Sequence, residues 1–243
     1  MLSLDQQNLW RDQYLNSHPG WQPATEVYAA HVRGRLNDKF RLLDIGCGRG
    51  GLIEQLEHPL RLTTGIDPDF DSLREYRLEG MPRAAAISDS LPFVSNTFNM
   101  VTAAWLLEHL KDPAATFSSV YRVLNPGGVF VFITPNARHP ITWANRVAGR
   151  FGRFQTRLVD RIYGRAAGDT FPTYYRANSL QALELQLNRA GFIIDHIDFV
   201  ADPSYVAFNE FLFRFMSAVD DGLAKERRIH LVGVARKPAE KST

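Results

Sequence analysis

The chain is poor in cysteine: its 243 residues contain a single one, Cys47. One thiol cannot close an internal disulfide, and it excludes a metal site built from several cysteines. Long apolar runs are also missing, because no stretch approaches the roughly 18 apolar residues that a membrane-spanning helix needs. The polar N-terminal segment lacks the apolar core of a signal peptide. We therefore expect a cytoplasmic protein.

A large excess of charge of either sign is absent as well. Charged side chains make up 22% of the residues, and the formal net charge is +2. This balance is too mild to indicate nucleic-acid binding by itself. Hydrophobic residues make up 45% of the chain, which suits one domain with a substantial core. We therefore treat residues 1–243 as a single domain.

Short apolar runs alternate with helical segments from residue 40 onward. Strands are predicted at residues 40–45, 60–66, 83–87, 98–103, 129–134, 192–200 and 229–235. Between them, helices are predicted at residues 50–57, 69–79, 112–124 and 179–190. Such alternation is typical of parallel strands joined by right-handed crossovers, with helices on both faces of the sheet. The predicted class is therefore α/β. Residues 1–38 form a helical segment broken at Pro19-Gly20, residues 137–177 interrupt the rhythm, and residues 178–236 resume it.

A glycine-rich loop follows the first predicted strand directly. It reads Gly46-Cys47-Gly48-Arg49-Gly50, and Asp44 precedes it. Glycines let the backbone approach a ligand, and ligands bind at the carboxyl edge of such sheets. The glycine spacing differs from the G-x-G-x-x-G dinucleotide fingerprint, and a nearby carboxylate would repel a pyrophosphate. An ammonium group suits this carboxylate better, so the loop favours S-adenosylmethionine over NAD.

A second carboxylate stands at the end of the next predicted strand. Asp67 lies in the stretch Gly65-Ile66-Asp67-Pro68, where a carboxylate can accept both hydroxyls of an unphosphorylated ribose. Taken alone, the same residue would be equally suited to cap a helix that begins near residue 69. Together with the glycine loop, the ribose role is favoured.

Four ordered stretches resemble the class I S-adenosylmethionine-dependent methyltransferases, and most closely the small-molecule group that includes quinone-biosynthesis methyltransferases. The stretches are LLDIGCGRG (42–50), GIDPD (65–69), DSLPFVSNTFNMV (89–101), and LLEHLKDP with YRVLNPGGVFVFITPN (106–113 and 121–136). The resemblance covers residues 40–136. It implies a Rossmann-like, doubly wound sheet of seven strands, the last antiparallel, and methyl transfer to a small-molecule acceptor.

The resemblance also assigns cofactor contacts to individual positions. The expected contacts, from the methionine end through the ribose to the adenine and the sulfonium, are Asp44, Gly46, Cys47, Gly48, Gly50, Asp67, Pro68, Ser88, Asp89 and Ala104. We interpret the Cys47 side chain as a packing residue rather than a nucleophile. Two positions in these stretches depart from the family. Ile87 stands where an acid often contacts the adenine amine, and Phe98-Asn99 stands where the fourth strand usually has Phe-Asp.

Glu108-His109 matches the Glu-His pair that often follows the fourth strand in this family. A base helps when the methyl acceptor is a hydroxyl or an amine, so His109 is a candidate base, and ordering of the loop is the alternative. Other candidates at the same edge of the sheet are His139, Tyr174 and Tyr175. Ubiquinone O-methyltransferase relatives use an acid three positions before the pair to ligate a divalent metal. Trp105 stands there in this chain, so we assign no metal site.

Residues 137–177 are rich in arginine and are expected to form a helical cap after the fifth strand. From Arg146 to Arg165 the arginines recur at helical spacing beside an apolar stripe that begins at Trp143. Such a helix could contact an anionic membrane surface through residues 141–165, cover an anionic or lipid-linked acceptor, or present a solvated basic face. The apolar segment 204–222 is expected to be buried against this cap.

Three other functions compete with a small-molecule methyltransferase. A binding or scaffold module without turnover need not retain Asp44, Gly46, Gly48 and Asp67, so their presence argues against it. An NAD-dependent oxidoreductase is disfavoured by the glycine spacing. A nucleic-acid methyltransferase lacks support, because the chain has no Asn-Pro-Pro-Tyr-type motif. The sequence therefore favours transfer of a methyl group from S-adenosylmethionine to a small molecule.

Overall fold

A mixed sheet lies at the centre of the computed structural model, which describes residues 4–150 and 171–239. Its strands, numbered along the chain, are β1 (Leu42–Ile45), β2 (Thr63–Asp67), β3 (Arg83–Ala85), β4 (Phe98–Ala104), β5 (Leu124–Pro135), β6 (Ile193–Val200) and β7 (His230–Arg236). They are arranged in the order β3-β2-β1-β4-β5-β7-β6. The first five strands pair in parallel, whereas β7 runs antiparallel between β5 and β6. The predicted seven-stranded sheet with an antiparallel last strand is confirmed.

Helices cover both faces of this sheet. In the described residues they are α1 (Leu4–Ser17), α2 (Ala24–Arg33), α3 (Phe70–Arg74), α4 (Pro113–Val123), α5 (Pro140–Arg150), α6 (Leu180–Arg189) and α7 (Glu210–Gly222). Short 3₁₀ turns include Leu52–Gln55, Ser88–Ser90, Leu107–His109 and Pro203–Val206. One apolar core lies on each face, with Phe117, Phe130 and Leu183 in one and Val32, Leu42 and Ile133 in the other.

Side-chain caps explain where several helices begin. Asp112 accepts a hydrogen bond from the Ala115 N–H at the start of α4, and Pro113 occupies the first turn, where its missing N–H is harmless. Ser179 caps α6 by accepting from the Ala182 N–H. These local signals fix two helices that flank the carboxyl edge of the sheet.

Two predicted helices are much shorter in the structure. A helix over residues 50–57 is reduced to the 3₁₀ turn Leu52–Gln55, and a helix over residues 69–79 ends at Arg74. Tertiary contacts explain the second difference. The Arg77 N–H donates to the Arg49 carbonyl, and its guanidinium pairs with Glu54 at 2.6 Å, so the chain is drawn back to the glycine loop. Long-range pairing here overrides the helical pattern of the sequence.

The segment 204–222 is only half buried, which corrects the expectation that it would be covered. Phe213 and Met216 of α7 face inward, and the Phe213 ring stacks on Trp10 of α1 at 4.8 Å between centroids. Phe211 and Phe215 lie on the other face and are 77% and 56% exposed. The helix is therefore amphipathic, with aromatic side chains on its outer face.

The predicted cap begins as a helix, α5, directly after the sheet. Most of the arginine stripe, from residue 151 to residue 170, lies outside the described residues. Among the helices that the structure describes, none is both long and apolar enough to cross a lipid bilayer.

Candidate active site

The glycine loop turns sharply where β1 ends. Gly46 and Gly48 have positive φ values of 71° and 50°, and the N–H groups of Gly46 and Cys47 both donate to the Ile66 carbonyl. The glycines meet a conformational need, because side-chain-bearing residues rarely adopt such φ values. A Cβ added to Gly48 would meet no atom within 4 Å. The loop backbone therefore faces open space that a ligand can approach closely.

Asp67 holds this loop in shape. One of its carboxylate oxygens accepts from the Gly48 N–H at 2.9 Å and the other from the Asp69 N–H at 2.8 Å. Each carboxylate oxygen has a further lone pair, so the residue can still accept ribose hydroxyls. The cap of α3 is Asp69, which accepts from the Asp71 N–H. The alternative role considered for Asp67, capping this helix, therefore belongs to its neighbour.

Asp44 lies between β2 and β4 at the end of β1, opposite Gly65 and Thr102. The Thr102 hydroxyl donates to its carboxylate at 2.8 Å. Burial raises the pKa of Asp44 to about 7, against the lowering effect of the Thr102 hydrogen bond and with a small addition from the charge of Asp67. A cationic ligand group would favour the charged form, so this carboxyl is suited to an ammonium.

Tyr28 is a site residue that the sequence analysis missed. It is 3% exposed on α2, and burial together with the charge of Asp44 raises the pKa of its hydroxyl, which also bonds Thr102. The hydroxyl therefore stays protonated beside Asp44. The available signal was Thr102, a hydroxyl residue in a largely apolar strand that pairs with the strand of Asp44.

Cys47 turns its side chain away from the open face of the loop. The thiol is buried, and a Cβ on Gly65 would lie only 2.8 Å from its sulfur. Burial, with a smaller effect from Asp44, raises the thiol pKa, so the reactive thiolate is suppressed. This is the environment of a packing residue. Its backbone carbonyl accepts from the Gly50 N–H at 3.0 Å, which closes the loop.

The expected adenine side lies after β3. Thr116 of α4 donates to the Asp89 carboxylate at 2.9 Å, and the Ser88 hydroxyl lies 3.0 Å from the Thr116 hydroxyl. Both residues are therefore fixed against α4. Ile87 is 56% exposed and offers an apolar surface where the family often has an acid. Pro68, exposed after β2, stands on the ribose side.

Ala104 ends β4, and Trp105 follows it in an unusual conformation. Trp105 has a φ of 55°, which is rare and strained for a bulky residue. Its N–H donates to the Ile133 carbonyl at 3.0 Å, and its ring meets the edge of His230. The side chain remains 37% exposed. In the sequence Trp105 stands out only as a lost metal ligand, whereas the structure gives it a constrained backbone directly after β4.

The segment 171–176 folds over the 3₁₀ turn Leu107–His109. The N–H groups of Tyr174 and Tyr175 both donate to the Glu108 carbonyl, at 2.7 and 3.2 Å. Tyr175 has a φ of 52°, a second bulky residue in the left-handed region. His109, Tyr174 and Tyr175, which the sequence singled out separately, are thereby brought together.

The Pro172 carbonyl sets the protonation pattern of His109. Nδ1 of His109 lies 3.0 Å from this oxygen, and a carbonyl can only accept, so Nδ1 carries the proton of the neutral ring. Nε2 then holds the lone pair, 4.0 Å from a carboxylate oxygen of Glu108. This is the arrangement of an oriented base with an acid beside it.

The Glu108 carboxylate is itself held by a buried hydrogen-bond network. Its carboxylate accepts from the Thr134 hydroxyl at 3.1 Å, and Asn178 donates to that hydroxyl at 2.6 Å. All three residues are buried. The network fixes the turn that carries His109 to the end of β5.

Two arginines lie against the tyrosine pair. The guanidinium of Arg176 is 5.6 Å from the ring centre of Tyr174, and that of Arg146 is 5.6 Å from the ring of Tyr175. These distances suit cation–π contacts. They place positive charge beside aromatic surface next to the turn that carries His109.

His139 is not placed to act as a base. Its side chain is 1% exposed, and its Nε2 pairs with Asp220 of α7 at 3.1 Å. Its Nδ1 accepts from the Ile141 N–H. With both ring nitrogens engaged in the interior, the residue joins the start of α5 to α7.

Comparisons with known proteins show which family the chain is similar to. A family model described as a methyltransferase domain matches residues 21–197. A ubiquinone biosynthesis O-methyltransferase from Bordetella bronchiseptica is 30% identical over 183 residues, covering 67% of this chain and 73% of that protein. A protein of the same name from Psychrobacter cryohalolentis is 31% identical over 132 residues, covering 50% of this chain and 49% of its own length.

The fold has solved counterparts as well. A crystal structure of an S-adenosylmethionine-dependent methyltransferase from Mesorhizobium loti superimposes with a TM-score of 0.54. It shares 19% sequence identity and covers 87% of this chain and 99% of its own. At this identity the likeness concerns the fold.

Proposed function

The chain belongs to the class I S-adenosylmethionine-dependent methyltransferases, and on that premise we propose that it methylates a hydroxyl of a small anionic or lipid-linked molecule, with His109 as the base. The observation that carries this proposal is the hydrogen bond from His109 Nδ1 to the Pro172 carbonyl. It leaves Nε2 as the basic atom. The relatives, named as ubiquinone biosynthesis O-methyltransferases, support an oxygen acceptor.

S-adenosylmethionine is the cofactor of this methyltransferase, and the residues at the carboxyl edge of the sheet fit it. When bound, it supplies a methyl group activated by a positively charged sulfur. Asp44 would face its ammonium group, and the loop at Gly46–Gly50 leaves room for close backbone approach. Asp67 would accept its ribose hydroxyls. Each of these groups is preorganised by hydrogen bonds within the protein.

The base acts on the acceptor. A hydroxyl held near His109 would transfer its proton to Nε2, which would make its oxygen a better nucleophile for the methyl group that the cofactor supplies. Pro172 would keep the other proton on Nδ1, and the Glu108 carboxylate would stabilise the imidazolium that forms. Most of the remaining acceleration would come from alignment of the two reactants. Tyr174, Tyr175 and the exposed Trp105 would line the acceptor side.

Positive charge and exposed aromatic surface support the finer identity of the acceptor. Arg146 and Arg176 lie on the two tyrosine rings, where they can pair with a carboxylate or phosphate. Trp143 of α5 is 61% exposed, and Phe211 and Phe215 of α7 are exposed as well. We also propose that residues 141–165 and the outer face of α7 contact an anionic membrane, from which a lipid-linked acceptor would be taken.

His109→Gln tests the assigned base. Loss of the base should lower kcat by about 10²- to 10⁴-fold and leave the affinity for S-adenosylmethionine unchanged. Turnover is measured as a function of pH to follow the base. The acceptor class is tested with an unsubstituted phenol and with phenols that carry either a carboxylate or a prenyl tail. His18→Gln is the matched control, because His18 pairs with Asp221 elsewhere on the surface. Wild-type activity in His109→Gln would contradict the assignment, and faster turnover of unsubstituted phenols would contradict the acceptor class.

A further inference from the structure

Three side chains that can bind a metal ion converge between α2 and the edge strand β6. They are His31, His196 and Asp198, whose ligand atoms all lie within 4.8 Å of one another. Nε2 of His31 is 2.6 Å from one oxygen of Asp198, and Nε2 of His196 is 2.9 Å from the other. Two elements far apart in the chain thus present two imidazoles to one carboxylate.

The fold explains why these donors meet. His196 and Asp198 are two residues apart in β6, so their side chains project from the same face of the strand. An irregularity in the pairing of β6 with β7 lies just before them, between Ile194 and His196. Helix α2 packs on the neighbouring strands β5 and β7 and brings His31 to that face. The arrangement is therefore built into the sheet and does not depend on a loop.

We propose that His31, His196 and Asp198 form a binding site for a zinc-like divalent transition-metal ion. Two imidazole nitrogens and one carboxylate oxygen are the donors that such ions prefer, whereas Mg²⁺ and Ca²⁺ favour oxygen alone. Donors bound to one tetrahedral ion at about 2.0 to 2.2 Å lie about 3.4 Å from one another. The donor atoms here lie within 4.8 Å of one another, so they must close by up to roughly 1.4 Å to complete the set. Three protein ligands leave the remaining coordination position to water.

Arg35 competes with the ion at this site. Its Nη1 lies 3.1 Å from Nδ1 of His31 and 3.2 Å from the His31 carbonyl. A guanidinium only donates, so with Arg35 in place the proton of His31 sits on Nε2, the atom that would bind the metal. Metal binding moves that proton to Nδ1 and releases Arg35 from the ring. The charge of Arg35 also opposes a cation. The residue therefore lowers the affinity of the site.

The site would join α2 to the edge of the sheet. His31 lies one turn after Tyr28 on α2, and Tyr28 is buried beside Asp44 and Thr102. A bound ion would hold the C-terminal half of this helix against β6. Its expected role is to stabilise the fold on the side of the sheet that supports Asp44, and it takes no part in methyl transfer.

Titration of the chelator-treated full-length protein with Zn²⁺ tests the proposal. Calorimetry should show one ion bound per chain, and Co²⁺ should give the visible absorption of a site with nitrogen ligands. Thermal unfolding should shift upward with Zn²⁺. His196→Ala should weaken binding by more than about 100-fold. The His196 side chain is 51% exposed, so this variant should fold as the wild type does.

Two further variants make the test specific. Arg35→Gln should strengthen Zn²⁺ binding several-fold, because it removes the competing donor and its charge. His18→Ala should leave the binding unchanged, since His18 forms a histidine–aspartate pair with Asp221. Absence of one-to-one binding in the wild type would overturn the proposal. So would binding that survives His196→Ala, binding lost equally in His18→Ala, or an Arg35→Gln affinity no higher than that of the wild type.

Discussion

The proposed cofactor side and the proposed acceptor side of this site are built in different ways. On the first, Asp44 and Asp67 are fixed by hydrogen bonds to the backbone and to Thr102, all close to strand ends. On the second, His109 is oriented by the carbonyl of Pro172, and the arginines lie on tyrosine rings. One side is part of the sheet, and the other depends on the segment 171–176. If the proposal holds, binding of the cofactor should tolerate changes in this segment, whereas acceptor selection should not.

Replacement of Asp67 should have the largest effect on the cofactor side. Asp67→Asn removes a charged acceptor that holds the loop and would bind the ribose. Loss of two such hydrogen bonds should weaken S-adenosylmethionine binding by about 100-fold or more. Calorimetry with S-adenosylmethionine and NAD measures this, and the wild type should bind only the former.

Asp69→Asn is the matched control for that change. Asp69 caps α3 and its carboxylate contacts Asp71 and Ser72, not the glycine loop. Asparagine is also a favoured N-cap residue, so the control should keep nearly all of its stability and its affinity for the cofactor. An equal loss of cofactor affinity in Asp67→Asn and Asp69→Asn would mean that both changes act only by destabilising the fold. The specific role of Asp67 in holding the glycine loop and binding the cofactor would then be contradicted.

Asp44 should make both stability and cofactor binding depend on pH. Its pKa is raised from 3.8 to about 7, so the folded protein keeps a proton that the unfolded chain loses. Stability without cofactor should therefore fall as pH rises from about 4 to about 7, with a limiting slope of about 1.4 kcal/mol per pH unit. The affinity for the cofactor, which carries an ammonium group, should rise over the same pH range, because the Asp44 carboxyl becomes a carboxylate.

Asp44→Asn separates these two effects. The variant should unfold at a higher temperature than the wild type at pH 8, where the wild type carries a buried charge. It should also bind S-adenosylmethionine more weakly, with little pH dependence near 7. Thermal unfolding and calorimetry at pH 5, 6, 7 and 8 measure both. Parallel pH curves for the two proteins would rule out Asp44 as the titrating group.

The smallest expected effect concerns the outer face of α7. If this face contacts a membrane, the double substitution Phe211→Ser with Phe215→Ser should reduce sedimentation with anionic vesicles several-fold and leave cofactor affinity unchanged. Leu185→Ser is the control, because Leu185 is also an exposed apolar residue, at 51%, but lies on α6, which is not part of the proposed membrane contact. Loss of vesicle binding in the control, or no binding by the wild type, would contradict the membrane proposal.

Sequence patterns predicted the sheet well because its signals are local. Apolar runs, the glycine loop and the acids at strand ends lie within a few residues of one another. The seven strands and the antiparallel position of β7 follow the family pattern. The helix predicted over residues 69–79 was too long, because Arg77 contacts Arg49 of the glycine loop and Glu54 of the 3₁₀ turn after it rather than residues of its own segment.

The rest of the site depends on contacts that the sequence does not encode locally. The bond from His109 to Pro172 uses a backbone carbonyl, which has no residue-specific signature. The strained φ of Trp105 is set by the Ile133 carbonyl on a neighbouring strand. Tyr28 reaches Thr102 from a helix that precedes the recognisable motifs. Such pairings become visible only when distant segments are placed in space.

The contact between Pro172 and His109 ties the tautomer of one side chain to the backbone of another segment. The carbonyl belongs to the segment 171–176, and the imidazole belongs to the 3₁₀ turn after β4. A carbonyl accepts and cannot donate, so the neutral ring keeps its proton on Nδ1 while this contact holds. A substitution that displaces the backbone at Pro172 should therefore let the proton exchange between the two ring nitrogens. The basic nitrogen of His109 would then change without any change to the histidine itself.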